Sequence, residues 1–418
     1  MNRPQPASAD NSAFLAYLDV RRRTAELAAS LCVEDQVIQS MPDASPTKWH
    51  LAHTTWFFER FILADHAPGY APVNEHYFYL FNSYYNSLGP MHKRLHRGLL
   101  SRPTVAEISD YRATIDERML DWLDRTKLTD AQQFLLTLGI NHEQQHQELI
   151  LTDIKHALAQ NPMLPAYTQL AVPESANSPM NFVSIAERDC ANGHEGDHFA
   201  FDNETPRHKV LVHAHELADR LVNNGEYLEF VKDGGYDTAE LWLSEAWSTL
   251  QERGWKHPIY WQPDLASEYT LSGVRELDLN APVCHLSLYE ADAFARWAGA
   301  RLPTETELEC IAADQEVEGN FYESGALHPV APGASDGSVR QVFGDVWEWT
   351  GTSYGPYPGF KTLAGSLGEY NGKFMCSQHV LRGGSCVSPQ SHLRATYRNF
   401  FYPDSRWQFS GVRLAKDL

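Results

Sequence analysis

The sequence predicts an α+β chain of two domains: a helical bundle over residues 1–161, a proline-rich linker at 162–179, and a domain of short strands and irregular structure over 180–418. Three observations carry this. Up to about residue 160 apolar side chains recur at helical spacing and glycine is sparse. Pro162, Pro165, Pro173 and Pro179 then cluster among Ser, Asn and Ala, a composition unlike either neighbour. Beyond residue 180 short apolar runs alternate with Gly, Trp and Tyr, the mark of an α+β domain held by turns and buried aromatics. At 418 residues the chain exceeds what one core usually organises.

Asp10 to Met41 is Gly-free with Leu, Ala and Val at helical steps, and predicts a first helix. Ser45-Pro46 opens a second, with Ser as the cap and Pro at the first helical position, where no N–H is needed. Trp49, His53, Phe57 and Phe61 recur along it in steps of four and mark its buried face. A third helix covers Thr104 to Thr126. A fourth starts at Thr129-Asp130-Ala131-Gln132, a capping box, and runs to Asn161-Pro162. Four such helices suggest a bundle, which builds metal sites from inward side chains on facing helices. The connection from Asn74 to Pro103, rich in Tyr, Phe, His, Lys and Arg, is long for a helical hairpin and reads as functional. In the second domain Asn224–Lys232 and Ser287–Ala298 are the clear helices.

A formal net charge of −20 argues against nucleic acid or an anionic membrane as partner. No apolar run nears the roughly 20 residues that span a bilayer, and Met1-Asn2-Arg3-Pro4-Gln5-Pro6 lacks a secretory apolar core, so a cytoplasmic protein is expected. Cys32, Cys190, Cys284, Cys310, Cys376 and Cys386 are scattered without CxxC spacing, and read as free, mostly buried thiols.

His142-Glu143-Gln144-Gln145-His146 lies inside the fourth helix and places two imidazoles on one face, four residues apart. His53, on the second helix, offers a third ligand, and His50 one turn away competes with it. The pentapeptide also matches the zinc-protease signature. The continuation of the longer zinc-protease motif fails, however, with Leu149 where Gly should stand and Thr152 where His should stand. Glu143 points about 100° away from the histidine face and is expected to salt-bridge a neighbour. Three neutral imidazoles suit zinc, iron, copper or nickel. Gln145 reads equally as a solvated side chain or as a hydrogen-bonding group at the rim of the site. In the loop after Phe81, Tyr84 and Tyr85 offer phenols, while Arg94 and Arg97 could clamp a carboxylate or simply lie at the surface.

The chain resembles, over essentially its whole length, the iron(II)-dependent sulfoxide synthases of ergothioneine biosynthesis, the hercynine oxygenases. The first part is similar to their DinB-like four-helix bundle through Ser45-Pro46-Thr47-Lys48-Trp49-His50-Leu51-Ala52-His53-Thr54-Thr55-Trp56 and His142-Glu143-Gln144-Gln145-His146-Gln147-Glu148. The second resembles the formylglycine-generating-enzyme fold, related to C-type lectins. Its signposts are Arg301-Leu302-Pro303-Thr304-Glu305, Gly344-Asp345-Val346-Trp347-Glu348-Trp349-Thr350, Arg382-Gly383-Gly384-Ser385 and Gly411-Val412-Arg413-Leu414. Formylglycine enzymes carry paired cysteines after the Gly-Gly-Ser signature. Here Cys386 stands alone, which removes their copper–thiolate chemistry and leaves Cys386 as a packed thiol.

The resemblance implies that Fe(II) and O₂ join a thiol to C2 of the hercynine imidazole and oxidise its sulfur. It selects His53, His142 and His146 as ligands, puts Gln145 on the hercynine imidazole, and puts Asn399 and Phe400 along the hercynine side chain. It implies a site in a cleft between the domains. The Tyr84-Tyr85 pair and the aromatic Phe401 resemble the branch that uses cysteine rather than γ-glutamylcysteine. In that branch a loop tyrosine donates a proton, without a choice between Tyr84 and Tyr85, and Asp43, Arg94 and Arg97 hold the cysteine ammonium and carboxylate. Rival readings are a relative with a selenium donor or ovothiol-type regiochemistry, a DinB-type thiol transferase, and a ligand-binding protein without turnover.

Overall fold

The computed structural model of the protein describes residues 11–171 and 175–418. The residues before Asn11, including Asp10 of the expected first helix, and Pro173 of the expected linker lie outside it. Two compact units form. One contains the residues up to Asn161 and, returning from far along the chain, Leu363–Tyr370; the other contains Pro162–Thr362 and Asn371–Leu418.

The first unit is built on α1 (Asn11–Ala29), α2 (Thr47–Phe58), α5 (Val105–Arg125) and α6 (Asp130–Ala159), with the short helices α3 (Ala64–His66) and α4 (Tyr77–Leu80) between α2 and α5. The helices α5 and α6 start where side-chain chemistry tells them to. Thr104 and Glu107 form a reciprocal capping box, as do Thr129 and Gln132, each satisfying orphan N–H groups of a first turn. The first helix stops at Ala29 rather than near Met41. Gln36 turns back to donate to the carbonyls of Ala28 and Leu31, and Asp35 accepts from the Cys32 N–H, so local side-chain bonds replace further helical ones.

Ser45 does not cap α2, whose first turn instead closes on the Pro46 carbonyl. The Ser45 N–H is engaged by Asp153 at 2.7 Å and its hydroxyl by Arg97 at 2.9 Å, long-range partners that override the local preference. Every residue of α2 is buried: α5 and α6 both pack on it, and Lys48 and Trp49 donate to the Leu100 and Leu80 carbonyls of the connection to α5. Past Phe58 it continues through one π-helical turn, Glu59–Leu63. Gly139 makes the approach to α6 feasible: a Cβ there would meet Phe58 Cε1 at 2.6 Å and Phe57 Cε1 at 3.1 Å. A buried ion network crosses the bundle. Glu143 accepts from Arg21 at 2.8 Å and Arg112 at 2.5 Å, and Arg21 also reaches Asp116. Burial alone would raise the Glu143 carboxyl, but the two guanidiniums outweigh it and hold it below its ordinary value.

The second unit has a four-stranded sheet in the order β10 (Ser410–Gly411), β7 (Trp347–Ser353), β8 (His379–Arg382), β9 (Asn399–Phe401), and a three-stranded sheet in the order β1 (Phe182–Ile185), β4 (His215–Ala218), β11 (Ala415–Asp417). Two hairpins, β2 (Arg188–Asn192) with β3 (His208–Val212) and β5 (Ser267–Thr270) with β6 (Gly273–Glu276), complete the strands described. Besides α7 (Asn224–Lys232) and α9 (Leu288–Trp297), which the sequence predicts, the unit has α8 (Ser244–Arg253) and α10 (Glu305–Ala312), which it was not read to contain. The missed α10 carries its own capping box, Thr304 with Glu307, and α8 ends on Gly254 at φ 65°. Residues 162–171 are no free linker: the Tyr167 N–H donates to Leu271 and the Pro165 carbonyl accepts from Tyr269.

The cysteine expectation needs correction. Cys190 on β2 and Cys310 on α10 are disulfide-bonded, brought to a Cα separation of 6.3 Å across 120 residues of sequence. Cys32 and Cys376 are exposed, and only Cys284 and Cys386 are buried free thiols. Pairing depends on how β2 packs against α10, which spacing along the chain does not reveal.

Candidate metal centre

His142 and His146 project from one face of α6 and His53 from α2, and the three are buried with their candidate ligand atoms all within 4.8 Å of one another. Ring centroids are 4.9 Å apart for His53 and His142, 4.8 Å for His53 and His146, and 4.7 Å for His142 and His146. That grouping could hold one metal ion, with a nitrogen from each ring as ligand. Among the described residues, no carboxylate enters the group. His50 stays outside it, with one ring nitrogen against His146 and the other against Asp153.

The local chemistry prepares these rings to act as ligands. His53 Nδ1 donates to the Phe81 carbonyl at 2.6 Å, which leaves its Nε2 as the lone-pair nitrogen. The indoles of Trp49 and Trp56 stack on the two sides of its ring, at 4.6 Å and 5.5 Å with interplanar angles of 14° and 15°. That stacking restrains the plane of the imidazole. Burial pushes His142 down to about 3, against the opposing pull of Glu143. Burial first, then neighbouring histidines, hold His53 and His146 well below the ordinary imidazole value. All three rings are therefore neutral at working pH, as metal ligation requires. His53 Nε2 and both nitrogens of His142 lack a hydrogen-bond partner among the described groups. Buried polar atoms are rarely left so, and an ion at the centre would satisfy His53 Nε2 and one nitrogen of His142. The donor set fits a first-row transition metal.

One phenol lies beside this centre, with two more next to it in turn. Tyr370, in the segment that returns to the first unit, has its ring 5.8 Å from that of His142 and donates its hydroxyl to Gln145 Oε1. Tyr84 lies ring to ring at 5.8 Å with Tyr370 and at 4.9 Å with Tyr85. Burial raises Tyr84 and Tyr85 above the ordinary phenol value, so both hold their protons at neutral pH. Glu369 fastens the segment to this loop, accepting from the N–H groups of Asn86 and Ser87 at 2.9 Å each. Gln145 is thus half-buried and engaged, not a solvated glutamine.

The two arginines differ. Arg97 is buried, donates to the Ser45 and Ser83 hydroxyls, and lies 3.3 Å over the Trp49 ring. Arg94 is exposed and donates to the Asp43 carbonyl, with its other nitrogen 3.6 Å from the Asp43 carboxylate. In the second unit, Asn399, Phe400 and Phe401 form β9, and Phe400 stacks on Tyr354 at 4.1 Å. Tyr370 and the Phe81 carbonyl are the site groups that the sequence reading missed. Nothing local marks either; Tyr370 lies 225 residues from Gln145.

Residues 16–150 match the DinB superfamily, and residues 168–337 and 326–418 match the sulfatase-modifying factor enzyme 1-like domain. Fold and site together define a DinB-type bundle with a three-histidine group able to hold a metal, carried in one chain with a sulfatase-modifying-factor-like domain. Relatives match the chain over nearly its whole length. The chain is 32% identical over 413 residues to the hercynine oxygenase of Mycolicibacterium smegmatis, covering 91% of this chain and 93% of that protein. It is 31% identical over 438 residues to the hercynine oxygenase of Mycobacterium tuberculosis (95% and 97% covered), and 31% over 436 residues to that of Mycolicibacterium thermoresistibile (96% and 94%). The chain belongs to the hercynine oxygenase family, and it is an enzyme. No helix among the described residues is long and apolar enough to cross a membrane.

Proposed function

We propose that this enzyme joins the sulfur of cysteine to C2 of the hercynine imidazole and oxidises that sulfur to the sulfoxide, with Fe(II) as its metal and O₂ as co-substrate. The observation that carries the reading is the convergence of three buried, neutral imidazoles from two helices, in a chain that belongs to this family. Imidazole alone suits several metals, and family membership is what favours iron among them. Held by His53, His142 and His146, iron would supply the means to activate O₂ and to gather both reactants at one centre.

The chain's own groups would do the rest. Gln145 would hydrogen-bond the hercynine imidazole, with its Oε1 oriented by the Tyr370 hydroxyl. The protonated phenols of Tyr84 and Tyr85 would be the proton source, and a positioned donor of this kind contributes typically 10²–10⁴-fold to rate. Arg97 and Arg94 would take the cysteine carboxylate and Asp43 its ammonium. Asn399 and Phe400 are assigned to hercynine on the family match alone. Cysteine is preferred to γ-glutamylcysteine on the Tyr84-Tyr85 pair and on Phe401, an aromatic where a carboxylate would favour the dipeptide.

The test is turnover of the Fe(II)-loaded chain with O₂, hercynine and each thiol in turn, followed by mass spectrometry of the products. Hercynylcysteine sulfoxide from cysteine, and far less product from γ-glutamylcysteine, is the expected result. Preference for the dipeptide would overturn the donor assignment, and no thiol-dependent product from either would overturn the reaction.

A further inference from the structure

His50 is a buried histidine that the ligand set does not use, and its two nitrogens are both engaged. Nε2 lies 3.0 Å from Asp153 Oδ2, and Nδ1 lies 2.8 Å from Nδ1 of His146. The same Asp153 oxygen accepts the Ser45 N–H at 2.7 Å. Asp153 follows His146 by two helical turns, so α6 itself brings carboxylate and ligand to one face.

An ionised carboxylate only accepts, so the His50 nitrogen facing it carries the hydrogen. A neutral imidazole has one N–H, which leaves His50 Nδ1 bare. Two bare nitrogens would repel at 2.8 Å, and two protonated ones would clash, so the hydrogen between the rings belongs to His146 Nδ1. The other nitrogen of His146, Nε2, is then the lone-pair atom. The converse arrangement, a charged His50 donating to His146, would put a hydrogen on His146 Nε2 and place a positive charge beside a cation site. From this geometry we propose that Asp153 and His50 are positioning residues that fix His146 in the tautomer that binds metal through Nε2. The inference rests on reading His53, His142 and His146 as the ligand set. It adds an asymmetry: the Phe81 carbonyl presets His53 and the Asp153–His50 pair presets His146, while His142, whose ring nitrogens have no partner among the described groups, is set only by the metal.

Outer partners of this kind typically change metal affinity 10–100-fold. The test is an anaerobic titration of the metal-free full chain with Co(II), followed by its visible absorption. His50→Phe and Asp153→Leu should weaken Co(II) binding by about 10–100-fold. His50→Gln, whose amide can accept from His146 and donate to Asp153, should stay within about threefold of the parent, a rescue that loss of a direct ligand would not allow. Unchanged affinity in His50→Phe, or equal loss in Gln and Phe, overturns the relay while leaving the three-histidine site standing. If the parent chain binds no Co(II), the ligand set fails and the relay with it. Histidine nitrogen NMR of the metal-free parent needs no variant. A hydrogen on His146 Nδ1 is expected; one on Nε2 overturns the proposal.

Discussion

The guanidinium of Arg97 lies 3.3 Å over the ring of Trp49, which also stacks on the metal-candidate His53 at 4.6 Å. Cation, indole and imidazole form one column, so the group proposed to bind the thiol substrate's carboxylate is coupled to a proposed ligand. Arg97→Lys keeps the charge but loses the planar fork and the stack, and the two are not interchangeable there. We expect the cysteine KM to rise about 10–100-fold, the equivalent of a charged hydrogen bond worth about 1.5–3 kcal/mol. Arg94→Ala, at an exposed pair, should cost less. Steady-state kinetics with cysteine varied checks both, and a larger effect at Arg94 would reverse the assignment.

Glu143 is fully buried between Arg21 and Arg112 and takes no part in the histidine cluster. Glu143→Gln leaves two buried guanidiniums short of their counter-charge, which typically costs about 3–5 kcal/mol. Denaturant unfolding of the metal-free chain should show that loss. A negligible change would mean that the network does not hold the bundle.

Gly139 sits one turn before His142 and under two phenyl rings, one of which, Phe57, packs on His142 at 4.7 Å. In an open helix Gly→Ala would stabilise by about 1 kcal/mol. Here the added methyl must displace Phe58, so a net destabilisation of about 1–3 kcal/mol is expected from overpacking. A thermal melt of Gly139→Ala settles the sign.

His142 has a folded value of about 3 against an ordinary value near 6.5. In acid the unfolded chain takes up a proton that the folded one refuses. The stabilisation is therefore complete above pH 6.5 and is lost as pH falls towards 3. The slope is about 1.4 kcal/mol per pH unit for this one group. Urea melts of the metal-free chain at pH of about 7 and about 5.5 should differ by roughly 1 kcal/mol more in the parent than in His142→Phe. Identical differences would show that the imidazole is not held neutral.

What the sequence made legible is chemistry that acts within a few residues. The Thr129 cap, the four-residue step from His142 to His146, and the turn of Glu143 away from the histidine face towards a salt bridge all follow from helical geometry, and the structure has them. The end of α1 was misread because Gln36 and Asp35 compete for backbone groups that a periodicity count treats as helical. Ser45 was misread for a different reason: its partners, Asp153 and Arg97, come from other parts of the fold. The Cys190–Cys310 bond and the place of Tyr370 are likewise products of packing. The α10 helix is the avoidable miss, since Thr304 and Glu307 state its start in the sequence.

Because eight residues near position 363 complete the helical unit, that unit is not a contiguous stretch of the gene. A fragment ending at Asn161 would still contain every candidate histidine ligand, yet it would lack the Glu369 clasp on Asn86 and Ser87 and the hydroxyl that orients Gln145. Evolutionary shuffling of the stretch up to Asn161 onto a new partner would carry off the candidate ligands and leave part of their surroundings behind.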